Sequence, residues 1–172
     1  MKMKSLLLSL CTVLLLCSCS SDDDETVVQL PLTRETLAGR YDVNLYAIQD
    51  VEVTQVNGAD IVTTTSITGG VFQDLNYTFN LDGTYSFSGQ FVENRTVEVT
   101  GTPPRGTESI VTITDSGTYE ISATGTNIEL SESRGVDDTF RVAVFDGLNL
   151  TLTRNERDGQ NTFNQVIQLR KI

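Results

Sequence analysis

The sequence predicts an all-β chain, an antiparallel up-and-down meander closed into a barrel, with a β-sandwich as the alternative. Three observations carry that expectation. From Arg40 onward apolar residues recur at every second position, the spacing that sends side chains to alternate faces of a strand. Asp-Gly and Asn-Gly pairs stand between the alternating runs, where tight hairpins need residues that tolerate positive φ. The runs number about eight to ten, and a meander of that size removes its exposed edges most simply by closing on itself.

Each element follows in order. Thr33 to Ala38 holds the one helical turn the pattern supports. Strands are expected around Val51, Val53 and Ile61, on either side of Asn57-Gly58, although Thr63-Thr64-Thr65 and Gly69-Gly70 leave their pairing weakly specified. Leu75, Tyr77, Phe79 and Leu81 alternate with polar residues, Asp82-Gly83 turns the chain, and Tyr85 and Phe87 resume the pattern. Val97 to Thr100 and Ile110 to Ile113 flank the proline-rich segment Gly101-Thr102-Pro103-Pro104-Arg105-Gly106, a loop expected to project from the body. Tyr119 and Ile121 pair with Ile128 and Leu130 across Thr124-Gly125-Thr126. Phe140, Val142 and Val144 lead through Asp146-Gly147 to Leu148, Leu150 and Leu152, and Asp158-Gly159 connects to a last strand from Phe163 to Leu169.

The chain begins as an export signal. Lys2 and Lys4 precede an apolar stretch, Ser5 to Leu16, of about a dozen residues, a signal-peptide length too short to span a bilayer. Leu16-Cys17-Ser18-Cys19 then resembles the lipobox of bacterial lipoproteins. The resemblance implies cleavage before Cys19, a diacylglycerol on its sulfur and a further acyl chain, such as palmitate, on its amino group. Cys17 is the competing position, but the bulky Leu16 before it fits the cut poorly. Two or three chains make such an anchor stable, at about 0.8 kcal/mol per buried CH₂. Cys11 and Cys17 would leave with the signal, so the folded part would hold neither disulfide nor free thiol. Asp22-Asp23-Asp24-Glu25 cannot bury itself and reads as a solvated tether; without a glycine-shaped loop it is a poor calcium site. Ser20-Ser21 followed by acids resembles the export signal of Bacteroidetes surface lipoproteins, which implies a lipid-anchored protein on the outer face of the outer membrane.

These readings divide the chain into a signal peptide at 1–18, a lipidated acidic tether at 19–34 and one β-domain at 35–172. Within the last, Leu37-Ala38-Gly39-Arg40-Tyr41 resembles the Gly-x-Trp start of lipocalins, with Tyr41 in place of Trp. YTFNLDGTYSF at 77–87, GTYEI at 117–121 and NIEL at 127–130 are similar to lipocalin-like domains of Bacteroidetes lipoproteins. The resemblance implies a barrel that holds a small hydrophobic ligand, and a basic residue, Arg154 or Arg170, covering Tyr41 at the closed end. Tyr41, Tyr77, Phe79, Tyr85, Phe87 and Tyr119 are the aromatics that would line or fill such a barrel.

Composition excludes several chemistries. The net charge of −11, more negative once Lys2 and Lys4 leave, opposes contact with phosphate backbones, so no nucleic-acid partner is expected. Without a single histidine the chain cannot build a Ser-His-Asp triad, a Cys-His pair or the usual transition-metal site, and no metal or cofactor is expected. Carboxylate chemistry remains, with Glu93, Glu98, Asp115, Asp137 and Asp138 as candidates, although acids in loops more often serve turns and surface charge. The expected function is therefore ligand binding. The alternative is a non-catalytic module that meets a cell-surface protein partner through loops such as 101–107 or 134–138, and a carboxylate hydrolase ranks last.

Overall fold

The structure, a computed structural model, describes residues 30–133, 135 and 137–172. The lipobox, Cys19 and the acidic run lie outside the described residues. Among the described residues, one short helix, α1 (Arg34–Leu37), leads into eight strands: β1 (Gly39–Val56), β2 (Ala59–Phe79), β3 (Thr84–Val99), β4 (Arg105–Ile121), β5 (Asn127–Glu132), β6 (Asp137–Phe145), β7 (Asn149–Asp158) and β8 (Asn161–Lys171). Each strand pairs antiparallel with its neighbour in the chain, and β8 returns to β1, from Val51↔Thr162 to Tyr41↔Lys171. This closure of an up-and-down sheet into a ring excludes the sandwich. No helix among the described residues is long and apolar enough to cross a membrane.

The hairpin pairs act where expected. Asn57 and Gly58, at φ 53° and 80°, form a two-residue connection with positive φ at both positions, and Val56 pairs with Ala59. The pairing that the threonine run leaves open is thereby fixed from the turn downward. Asp82 and Asp146 cap their turns by accepting backbone hydrogens from Thr84 and from Leu148 and Asn149.

Strict alternation fails in two ways. A register shift between Val142 and Val144 turns Val144 outward, leaving it 45% exposed, and places Phe145 in the core. Leu81 and Leu148, which extend the apolar pattern on paper, lie in turns and are exposed. The projecting loop is also shorter than its sequence suggests, because β4 already begins at Arg105.

The interior divides into layers. At the end covered by α1, Tyr41, Phe79 and Tyr119 meet edge to face, with ring centroids 5.9 and 5.3 Å apart. Their polar tips are satisfied: Tyr41 donates to Leu37 O at 2.8 Å and Tyr119 to Asn80 O at 2.7 Å. Above them Tyr77 stacks on Phe79 and, at 4.0 Å between centroids, on Phe87.

The cation over Tyr41 is Lys171, not Arg154 or Arg170. Its Nζ lies 5.4 Å from the ring centroid and donates to Thr36 O at 3.2 Å, tying the last strand to α1. Arg170 cannot do this because Ile167, Leu169 and Lys171 share the inward parity of β8, which sends Arg170 to solvent. Arg154 has the right parity in β7 but stands at the opposite end, over Phe163. Gly39 makes the room: its φ is +143°, and a Cβ there would fall 2.5 Å from Lys171 Cε. Replacing Lys171→Met should lower stability by about 1–2 kcal/mol, the sum of a cation–π contact and a hydrogen bond to a helix-end carbonyl. Chemical denaturation should show this as a lower midpoint at unchanged slope, while an unshifted midpoint would mean the lysine covers nothing.

Candidate functional site: an acid-mouthed aromatic cavity

The ring is not equally tall all round. β5 ends at Glu132 and β6 begins at Asp137, whereas β3 and β4 continue together to Val97↔Arg105. The wall is therefore low above the β5–β6 hairpin. Below that gap lies an interior cavity of about 110 Å³.

Its lining follows from strand parity. Tyr77 and Leu75 come from the inward face of β2, Tyr85 and Phe87 from β3, and Leu130 and Phe140 from β5 and β6, all buried. Of these, Tyr77, Tyr85, Phe87, Leu130 and Phe140 border the cavity, joined by Tyr46 from β1 and Gln165 from β8. Gln165, only 8% exposed, interrupts the inward series Phe163, Gln165, Ile167, Leu169 and donates to Tyr46 Oη at 3.4 Å. Above Tyr46 the aromatic layer continues through Phe91, at 5.3 Å between centroids, and Phe72.

Three carboxylates stand on the same wall. All three face inward, Asp115 from within β4, Glu132 from the last position of β5 and Asp138 from the start of β6, with Gly117↔Glu132 and Leu130↔Asp138 setting their heights. Asp115 accepts from Tyr85 Oη at 3.2 Å and from Ser116 N. Asp138 is held by Arg154, which also binds Glu156.

The phenols report this environment. Burial pushes the Tyr77 hydroxyl well above its ordinary range, and the charges of Asp115 and Asp138 add to the shift. Tyr85 is raised by burial first and then by Asp115, both as a charge and as the acceptor of its hydrogen bond. Tyr46 is raised by burial and Glu93, against a smaller opposing effect of Gln165. The cavity thus combines apolar faces with a negative field, which suits a neutral or positively charged guest and opposes an anion.

The sequence candidates separate cleanly. Asp115 and Asp138 converge on the cavity, together with Tyr77, Tyr85 and Phe87. Tyr41, Phe79 and Tyr119 fill the closed end beneath it. Glu93 pairs with Arg95 at 3.3 Å, while Glu98 and Asp137 are exposed. Sequence reasoning misses Tyr46, Glu132 and Gln165. A polar residue at an inward step of an apolar run is the available signal for Gln165. Among the described residues no group of three or more carboxylates is arranged to hold a metal ion.

Larger grooves of about 440 and 530 Å³ lie beside the turn at 123–126 and between Thr84 and Ser133. The first is bordered half by apolar residues such as Leu30, Val142 and Phe145 and the second largely by small and hydroxyl residues, and neither gathers the several rings and carboxylates of the interior cavity. Against known proteins, the chain matches no family model, no curated protein and no solved structure.

Proposed function

We propose that the chain is a bacterial lipoprotein, anchored through Cys19 to the outer membrane and facing outside, whose lipocalin-like barrel binds a small ligand in the interior cavity. The lipid anchor follows from the lipobox resemblance, with 1–18 removed and 19–34 as the tether to the domain at 35–172. The lipocalin-like reading draws support from the closed up-and-down ring and from Lys171 over the Gly39-x-Tyr41 entry. Binding in place of catalysis is favoured because Asp115 and Asp138 are both engaged in hydrogen bonds that orient them as fixed walls.

One observation carries the ligand class: the 110 Å³ cavity with aromatic sides and Asp115, Glu132 and Asp138 at its edge. Drug-sized ligands need roughly 300–1,000 Å³, so the guest is compact, with an apolar body and an uncharged or cationic end. A fatty-acid carboxylate would be desolvated beside three acids, a costly arrangement. The hydrophobic ligand expected from sequence therefore narrows to a small one without negative charge.

Calorimetric titration with benzylamine, benzyl alcohol and benzoate tests this. The amine should bind more tightly than the alcohol, and benzoate not at all. Asp115→Asn should weaken the amine about tenfold, roughly 1.4 kcal/mol, while leaving the alcohol nearly unchanged. Equal affinities, or a preference for benzoate, would refute the assignment. A second reading, docking to a cell-surface partner, draws on the hairpins β1–β2 and β3–β4, which rise past the β5–β6 hairpin. Crosslinking on intact cells should then capture one specific neighbour; recovery of bulk envelope proteins alone would count against it.

A further inference from the structure

The low wall above β5–β6 leaves an edge. β4 pairs with β3 from Arg105 to Thr118, but with β5 only from Gly117 to Ile121. Among the described residues, no strand pairs with the other edge of residues 105–115. Its hydrogen-bonding phase can be read from the neighbours. Tyr119 N donates to Gly83 O on the β3 side, whereas Ser116 O accepts from Ser133 N on the β5 side. Even-numbered residues therefore present N–H and C=O to the free edge: Gly106, Glu108, Ile110, Thr112 and Thr114.

Only the exposed Glu108 and the inward-pointing Asp115 protect this edge. Between Arg105 and Asp115 there is no lysine, no proline and no bulge, and the ladder with β3 runs without a register shift. Thr107, Ile110, Val111, Thr112, Ile113 and Thr114 are β-branched, and Ile110 is 75% exposed, the most exposed large apolar residue described.

We infer that this edge is the interface of a two-fold dimer, in which β4 of one copy pairs antiparallel with β4 of a second around Ile110. The register is set by charge and by what already occupies the strand. Centring on Ile110 places Arg105 opposite Asp115 of the second copy, and Glu108 opposite Thr112. Moving the centre to Val111 would set Arg105 against Gly117, whose edge β5 already holds. Moving it to Glu108 would face two glutamates across the axis. In the Ile110 register Pro103 and Pro104 end each strand beside the other copy's Gly117, where its β5 ends at Glu132, so the unpaired length is filled without overlap. About ten backbone hydrogen bonds would join the copies. The inference rests on the β4 edge and not on the cavity's guest, although its register sets Arg105 of the second copy opposite Asp115 of the cavity wall; variants at 110 and 112 test it without touching the cavity.

The test uses the full-length chain in detergent micelles at about 0.15 M salt, which screens the repulsion between two acidic copies. Under mild oxidation, Ile110→Cys should form a homodisulfide recovered in the 106–134 tryptic peptide, since residue 110 faces itself. Thr112→Cys should not, because it faces residue 108. Thr112→Pro removes only an edge donor and should halve the mass seen by analytical ultracentrifugation with the circular dichroism unchanged. Should that variant unfold, Ile110→Lys, which sets two ammonium groups face to face, should give the monomer. A wild-type protein that stays monomeric at tens of micromolar, or equal crosslinking at 110 and 112, would overturn the inference. Crosslinking of the Ile110→Cys variant through its new thiol to another protein, or to residues 19–29 of its own chain, would also overturn it.

Discussion

Tyr77→Ala is expected to be the most damaging single substitution outside the backbone, lowering stability by about 3–5 kcal/mol. The ring stacks within 4.0 Å of Phe87 and 5.8 Å of Phe79, and no part of the side chain can be lost without opening the layer between the closed end and the cavity. In a domain of this size the melting temperature should fall by on the order of 10 °C or more. Phe87→Ala should behave similarly, and the double variant should cost less than the two singles together, because each removes the partner of the other. A Tyr77→Ala protein that melts with the wild type would mean that the barrel is hollow there, contrary to the packing described.

The second large effect is alkaline. All five tyrosines, Tyr41, Tyr46, Tyr77, Tyr85 and Tyr119, have hydroxyls pushed up from their ordinary range, and burial is the first cause in every case. For Tyr41 the value reaches about 12. A phenol whose pKa is higher folded than unfolded binds its proton more tightly in the native state. The stability it contributes is complete below the unfolded value of about 10 and is lost as pH rises through the folded one. Between about pH 10 and 12 the protein should therefore lose stability steeply, and tyrosinate absorbance should appear together with loss of the β-sheet dichroism. Five independent phenols titrating near pH 10 in an intact fold would contradict the buried aromatic interior.

Much of this architecture is legible because strand parity and turn chemistry are local. Asp82-Gly83 and Asp146-Gly147 stand at the turns expected of them, and Tyr77, Phe79, Tyr85 and Phe87 are all buried on one face. Two kinds of information are not local. The extra residue after Val142 reverses the parity of β6, and no composition signal marks it: the apolar series simply offers Val144 and Phe145 equally. The cation over Tyr41 requires knowing where β8 ends relative to α1; parity alone excludes Arg170, yet only the register Tyr41↔Lys171 brings the lysine to the ring.

The cavity shows the same division. Asp115 and Asp138 are visible in sequence as acids with a claim to carboxylate chemistry. Their convergence with Glu132 depends on β5 and β6 ending lower than β3 and β4, a difference in strand length set by pairing. Tyr46 is harder still, because a register shift between Val43 and Leu45 resets the parity of β1 before it arrives.

Closure of the ring underlies the cavity, the placement of Lys171 and the low wall alike, and nuclear Overhauser contacts between β1 and β8 test it most directly. Cross-strand backbone contacts should appear along the pairs Tyr41↔Lys171, Val43↔Leu169, Tyr46↔Ile167 and Ile48↔Gln165. Their absence, with β1 and β8 each protected on one side only, would show an open sheet and remove the cavity with it.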